Sequence, residues 1–154
     1  LGRGAVQEFP GRKTFRILVL DRAQQADQHG HHLLRGDLLV EHVRDPRALA
    51  RAADVSVLVI NPIVFAEVSV GFGRVEDLEE ALPPDLYRRD PLPYEAAFLA
   101  GKSFLAYRRR GGRRTAPLPD FYIGAHAAVA GYTLLTRDAR RYRHYFPTLR
   151  IVAP

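Results

Sequence analysis

Short apolar runs, several of them β-branched, alternate along the chain with stretches in which apolar positions recur at helical spacing. This alternation predicts a parallel sheet with helices on both faces. "FRILVLD" (15 to 21) reads as a buried strand with Asp21 at its carboxyl end. "DPRALARAA" (45 to 53) reads as a short helix with Pro46 in its first turn, and "VSVLVI" (55 to 60) as a strand. A helix is expected over 61 to 73, with Asn61 as cap, Pro62 at the first helical position and glycines at the end. Further helices are expected over 75 to 82 and 93 to 110, a loop over 111 to 119, and a helix beginning at Asp120. A strand over 132 to 136, a short helix over 139 to 146 and a strand over 149 to 153 complete the pattern. Residues 1 to 14, glycine-rich and aperiodic, predict a poorly ordered lead-in; residues 22 to 37 have no clean period and fit helix or loop.

Composition narrows the chemistry. The 154 residues, 47% hydrophobic and 26% charged, suit one globular domain, taken here as 15 to 154. No run reaches the ~20 apolar residues of a membrane span, so no membrane partner is expected and the cytoplasm is the default. With no cysteine, disulfides, thiolate nucleophiles and zinc–thiolate sites are excluded. The net charge of +6 is carried by arginine, since Lys13 and Lys102 are the only lysines. Arginine's forked donors suit phosphate; genome base composition is the competing explanation.

Against this basic background several carboxylates are out of place. Glu67 has Ile63, Val64, Val70 and Gly71 as its helical neighbours, a setting in which a charge needs a partner or a cation. Asp120 opens "DFYIGAHAAVAG", a helix small or apolar around most of its circumference, and Asp138 follows the strand "YTLLT". A plain helix cap explains Asp120, and a turn or helix start explains Asp138, when each is taken alone. In a parallel α/β sheet, however, strand carboxyl ends and helix amino ends share one edge, where sites form. Asp21, Asp120 and Asp138 fall at that edge, with Glu67 one turn inside a helix that starts there. Two carboxylates ~4 Å apart repel by about 4 kcal/mol at an effective dielectric of 20. A carboxylate-rich site therefore calls for Mg²⁺ or Mn²⁺, which activate water and stabilise a phosphoryl transition state.

"INPIVFAEVSVGF" followed by "LPDFYIGAHAAVAGYTLLTRDARRYRHYFP" resembles the VapC-type toxins, PIN-domain ribonucleases, over roughly residues 55 to 154. The resemblance implies a three-layer α/β/α sandwich with a parallel central sheet. It also implies a metal-dependent endoribonuclease, using Mg²⁺ or Mn²⁺, that hydrolyses RNA phosphodiesters and is held inactive by a VapB-like antitoxin; a homodimer fits as well. Glu67, Asp120 and Asp138 match the family's acidic metal-site positions, and Thr136 a nearby polar one. The front of the chain departs from the pattern. The family opens with an apolar strand, Asp, any residue and Asn, whereas Asp21 is followed by Arg22 and Ala23. The interval from Asp21 to Glu67 is long; Asp27 stands at a more usual interval but has no strand before it. Residues 15 to 54 are thus atypical. Together with the absence of methionine this predicts that the first 40 or so residues are misread, divergent or degenerate.

Other clusters carry less. His29, His31 and His32 in "HGHH" point in divergent directions in any regular structure and read as a solvated loop rather than a metal site. His126 reads as a satisfied core residue, and His144 lies in a basic, aromatic segment. "YRRRGGRR" (107 to 114) and "TRDARRYRHY" (136 to 145) combine arginine with tyrosine, fitting phosphate contact and base stacking on RNA; a solvated face or an antitoxin-binding face fits them too. Arg137, Arg140 and Arg141, beside Asp138, are the favoured RNA contacts along with Thr136. Two competitors remain: a catalytically inactive PIN-domain remnant that binds antitoxin or nucleic acid, and a receiver-type phosphoacceptor, which lacks its early acid pair and late lysine here.

Overall fold

The computed structural model describes residues 37–41, 46–54 and 56–153. Five strands and six helices follow in the order β1 (Asp37–Val40), α1 (Pro46–Ala53), β2 (Val57–Ile60), α2 (Pro62–Ser69), α3 (Val75–Ala81), β3 (Tyr87–Arg89), α4 (Tyr94–Arg109), α5 (Pro119–Ala130), β4 (Thr133–Leu135), α6 (Ala139–Tyr145) and β5 (Ile151–Val152). Local chemistry sets the helix ends. The Asn61 side-chain oxygen accepts the N–H groups of Ile63 and Val64 at 3.0 and 2.9 Å, two donors that the first turn of α2 would otherwise leave unpaired. Pro62 and Pro119 occupy positions in the first turns of α2 and α5, where a missing N–H costs nothing. Gly131 closes α5 at φ 71°, in the left-handed region that favours glycine.

All pairings are parallel, in the order β3-β2-β1-β4-β5. From β1 the chain moves outward through β2 to β3, then crosses back to β4 and continues to β5. Right-handed crossovers running in both directions place helices on both faces, and the direction of winding reverses between β1 and β4. The three inner strands are apolar: Leu39, Val40, Leu58, Val59, Ile60, Leu134 and Leu135 are all buried. A fully buried leucine or isoleucine contributes about 1.5–3 kcal/mol, so burial holds the four-residue β1 more firmly than its few ladder bonds could. Ala96, Ala100 and Ser103 of α4 and Ile123 to Ala127 of α5 are buried, and the small side chains let these two helices pack closely.

Two strands differ from expectation. β1 lies at 37–40, in a stretch that pattern alone left unassigned, because three apolar residues between polar neighbours are too few to show a period. β3, "YRR", was not foreseen either: as an edge strand it needs one buried residue, Tyr87, and its arginines reach outward. The helix at Asn61 stops at Ser69, with residues 70–72 in a tight turn where Gly71 and Phe72 donate to Val68 and Ser69 carbonyls. The strand expected at 15 to 21, the lead-in, and His29, His31 and His32 lie outside the described residues, as do Asp21 and Asp27.

Candidate functional site

The reversal between β1 and β4 is where a crevice opens at the strands' carboxyl ends. Glu41 stands directly after β1, 2% exposed, its N–H donating to the Leu135 carbonyl at 2.9 Å. Its Oε1 accepts the Tyr142 hydroxyl at 2.5 Å. On the neighbouring strand Thr136 follows β4 directly. It is fully buried, and its Oγ1 accepts the N–H of Asp138 at 3.1 Å. That bond turns Asp138 so that its carboxylate caps α6, accepting the Arg141 N–H at 3.4 Å. Asp120 sits in the first turn of α5; Leu118 is the cap residue there, so the Asp120 side chain is not occupied with capping. Instead Asp120 Oδ2 pairs with Arg141 Nη1, while Arg141 Nε meets Asp138 Oδ2 at 3.2 Å. One guanidinium thus bridges the acids of two elements. The Asp120 side chain is 14% exposed against 51% for Arg141 and 49% for Asp138, so the pair reaches from the crevice into solvent.

Glu67, half-buried in the second turn of α2, belongs to the same field. Tyr142 reports it: burial first, then the charges of Glu41, Asp120 and Glu67 hold its phenol well above the ordinary range, so it stays a proton donor to Glu41. Arg141 is kept charged by Asp120 and Asp138 against the opposing effect of burial. The donor set is all oxygen and anionic, the chemistry that Mg²⁺ or Mn²⁺ prefers. In this arrangement Arg141 supplies the positive charge between Asp120 and Asp138. Among the described residues no three carboxylate or imidazole side chains stand close enough to hold a metal. The fit to a divalent cation is therefore one of charge and donor type.

Of the residues expected here, Asp120 and Asp138 are joined through Arg141 and Thr136 is bonded to Asp138, while Glu67 is linked to them only by its charge acting on Tyr142. Thr136 is buried and acts on Asp138, while Arg137 and Arg140 are exposed and Arg141 is committed to the acids. Glu41 was missed. The signal for it was present as an acid ending the run Leu38 to Val40, the pattern sought at Asp21.

A second polar cluster lies by β2 and β3. Arg88 donates to both Asp90 oxygens, Nε to Oδ1 and Nη2 to Oδ2, each at 3.1 Å, and the Tyr132 hydroxyl also donates to Asp90. Burial pushes the Asp90 carboxyl up, but the bonds from Arg88 and Tyr132 outweigh it and leave it below its ordinary value. His126, 1% exposed, faces Asn61 Nδ2 through its Nδ1 at 3.1 Å. Since the Asn61 oxygen caps α2, its amide nitrogen must donate, which makes His126 Nδ1 an acceptor. Burial lowers the His126 pKa, with Asp90 partly opposing.

A five-stranded parallel sheet wound in both directions from β1, with acids gathered at the point of reversal, is the PIN-like α/β/α architecture. The chain superposes on a chain of VapBC2 from Rickettsia felis, bound to a DNA fragment from their promoter, with a TM-score of 0.58 and 17% identity, covering 76% of this chain and 98% of that one. VapBC-1 from nontypeable Haemophilus influenzae gives 0.59 and 17%, covering 77% and 97%. FitAcB from Neisseria gonorrhoeae gives 0.54 and 18%, covering 76% and 97%. At these identities the likeness establishes the fold. No family model and no curated protein matches the sequence.

Proposed function

We propose that this chain is a metal-dependent endoribonuclease, the toxin of a toxin–antitoxin pair. The observation that supports the reading is the bridge of Arg141 between Asp120 and Asp138 at the carboxyl end of β4, with Glu41 held by Tyr142 after the neighbouring strand β1. Glu67, Asp120 and Asp138, with Glu41 in the place sought for Asp21, would hold Mg²⁺ or Mn²⁺. Such an ion supplies a water of lowered pKa and stabilises charge on the phosphate. The chain's own residues do the rest. Tyr142, kept protonated, orients Glu41; Thr136 orients Asp138; Arg141, once turned from the acids, reaches a backbone phosphate, and the exposed Arg137 and Arg140 meet its neighbours. No side chain need form a covalent intermediate.

The partner would be a small VapB-like antitoxin, an expectation supported by the neighbouring structures being VapBC and FitAB assemblies. A homodimer fits the same resemblance. Among the described residues no helix is long and apolar enough to cross a membrane. A second reading is an inactive remnant that binds antitoxin or nucleic acid, and the pairing of Arg141 with both acids is the observation that favours it. RNA cleavage by the purified chain in Mg²⁺, Mn²⁺ or chelator separates the two. Metal-dependent cleavage lost in Asp120→Asn supports the enzyme; intact RNA in every lane supports the remnant.

A further inference from the structure

Beside Asp120 a cavity of about 280 Å³ opens between the end of α4, the start of α5 and α6. Leu118, Tyr107 and Tyr145 line it, and Asp120, Arg114 and Arg141 line it from three different segments. It unites the two arginine–tyrosine clusters of the sequence: the rings of Tyr107 and Tyr145 stand 6.4 Å apart, and Arg110 Nη1 donates to His144 Nε2 at 2.5 Å. The cavity is built rather than incidental. Gly111, at φ 86°, turns the chain back, and Gly112 then lies so close to Tyr107 that a Cβ on it would fall 2.1 Å from the ring. The Tyr107 hydroxyl accepts the Arg113 N–H at 3.2 Å, and Arg108 donates to the Arg114 carbonyl at 2.6 Å. The loop is thereby pinned on the Tyr107 ring, with Arg114 at the cavity. Arg114 enters none of the ion pairs among the described residues, whereas Arg141 is tied to Asp120 and Asp138.

An aromatic recess with an uncommitted guanidinium at its rim matches a planar ring carrying a phosphate. A duplex keeps its bases stacked away from such a recess, so the matching strand is unpaired. We propose that this cavity is a nucleotide subsite: it takes one unpaired base of an RNA strand against the edge-to-face pair of Tyr107 and Tyr145, and Arg114 holds that nucleotide's phosphate. The strand would then run directly past Asp120. The assignment to RNA rests on the ribonuclease reading; nucleotide binding in the cavity does not need catalysis.

The chain has seven tyrosines and no tryptophan, so tyrosine emission reports ligands at this site. The full chain, in chelator, is titrated with AMP, GMP, CMP, UMP, ribose 5-phosphate and inorganic phosphate. At least one nucleotide is expected to quench saturably and to bind about tenfold more tightly than ribose 5-phosphate. Arg114→Ala and Tyr145→Leu should each weaken it about tenfold. Should Tyr145→Leu fail to fold, Arg114→Ala decides, because that side chain is exposed. Equal affinity for ribose 5-phosphate, indifference to Arg114→Ala, or saturable quenching by a glutamate-rich peptide and by none of the nucleotides overturns the proposal. Nucleotide binding by a chain that cleaves no RNA with any metal leaves the subsite standing and removes the ribonuclease reading. Cleavage without nucleotide binding does the reverse.

Discussion

Among the described residues, two clusters of polar residues each draw a member from α5: Asp120 in its first turn and His126 one to two turns further on. In the β2/β3 cluster the acid, 21% exposed, is bound at both oxygens. Asp90 has both oxygens engaged by one arginine two residues away, a fork-to-carboxylate pairing that holds geometry as well as charge, with a tyrosine hydroxyl added. At the β1/β4 reversal a single arginine, half exposed and on a long stem, is divided between two acids from different elements. A charge divided that way is more easily exchanged, because neither acid holds the guanidinium by a two-oxygen fork. The first cluster reads as structure and the second as a site, although both are acids paired with arginine.

The largest effect should separate these two readings directly. Asp120→Asn is expected to lower RNA cleavage by more than about a hundredfold, since even residues supporting a metal ligand commonly cost 10- to 100-fold. Asp90→Asn should leave the cleavage rate within a few-fold while lowering Tm, because it breaks a pair and removes no ligand. Rates and melting curves on the same preparations test the contrast. If Asp90→Asn silenced cleavage as fully as Asp120→Asn, the division between structure and site would be wrong.

Next in size is a change in α5 aimed at one cluster only. A Cβ at Gly124 would lie 2.4 Å from the Phe146 ring and 2.9 Å from that of Tyr142, neither of them a flexible chain end. Gly124→Ala is expected to cost about 1–3 kcal/mol by overpacking, a fall in Tm of roughly 2–4 °C per kcal/mol in a chain of this length. Because Tyr142 holds Glu41, cleavage should fall too, while the His126 side of the helix keeps its pairing. An unchanged Tm would mean that the rings move aside freely.

Arg141→Ala comes third. With the bridge gone, Asp120 and Asp138 face each other uncompensated, and the loss in chelator should be about 1 kcal/mol, the upper end for a partly exposed pair. Mn²⁺ should then raise Tm more in the variant than in the parent, since the cation no longer competes with a guanidinium. Calorimetry with and without Mn²⁺ reads this. Equal metal-induced shifts would show that Arg141 does not occupy the cation's place.

Much of this arrangement was legible in the sequence. Pro46, Pro62, the Asn61 cap and the alternation of apolar runs located helices and the parallel sheet, because those signals act within a turn or two of themselves, whereas Pro119, read as the end of a loop, opens α5. Acids at strand ends and helix starts could likewise be placed on one edge. Three things were not legible. β1 is too short to show a period, so Glu41 passed unnoticed although it ends an apolar run. The Arg141–Asp120 pair spans 21 residues, a separation that no local pattern encodes. The nearness of residues 107–114 to 136–145 arises only when α4, α5 and α6 pack around the Tyr107, Phe121 and Tyr145 rings.

The smallest expected effect concerns the β2/β3 cluster. His126 has its pKa lowered by burial, and its Nδ1 already accepts from Asn61, so protonation would set two donors against each other in a buried place. The unfolded chain, with an ordinary histidine near 6.5, then takes up a proton that the folded chain refuses. By linkage, stability is fully present above about pH 6.5 and declines as the pH falls below it, by at most about 1.4 kcal/mol per pH unit for one proton. Melting at pH 7.5 and pH 5.0 should therefore show an acid-induced loss in the parent that is smaller in His126→Gln, whose side chain does not titrate. The site acids contribute nothing to that difference, because they are common to both proteins. An equal loss in parent and variant would take the acid sensitivity away from His126 and give it to a carboxylate such as Asp90, whose bonds from Arg88 and Tyr132 hold it below its ordinary value against the effect of burial.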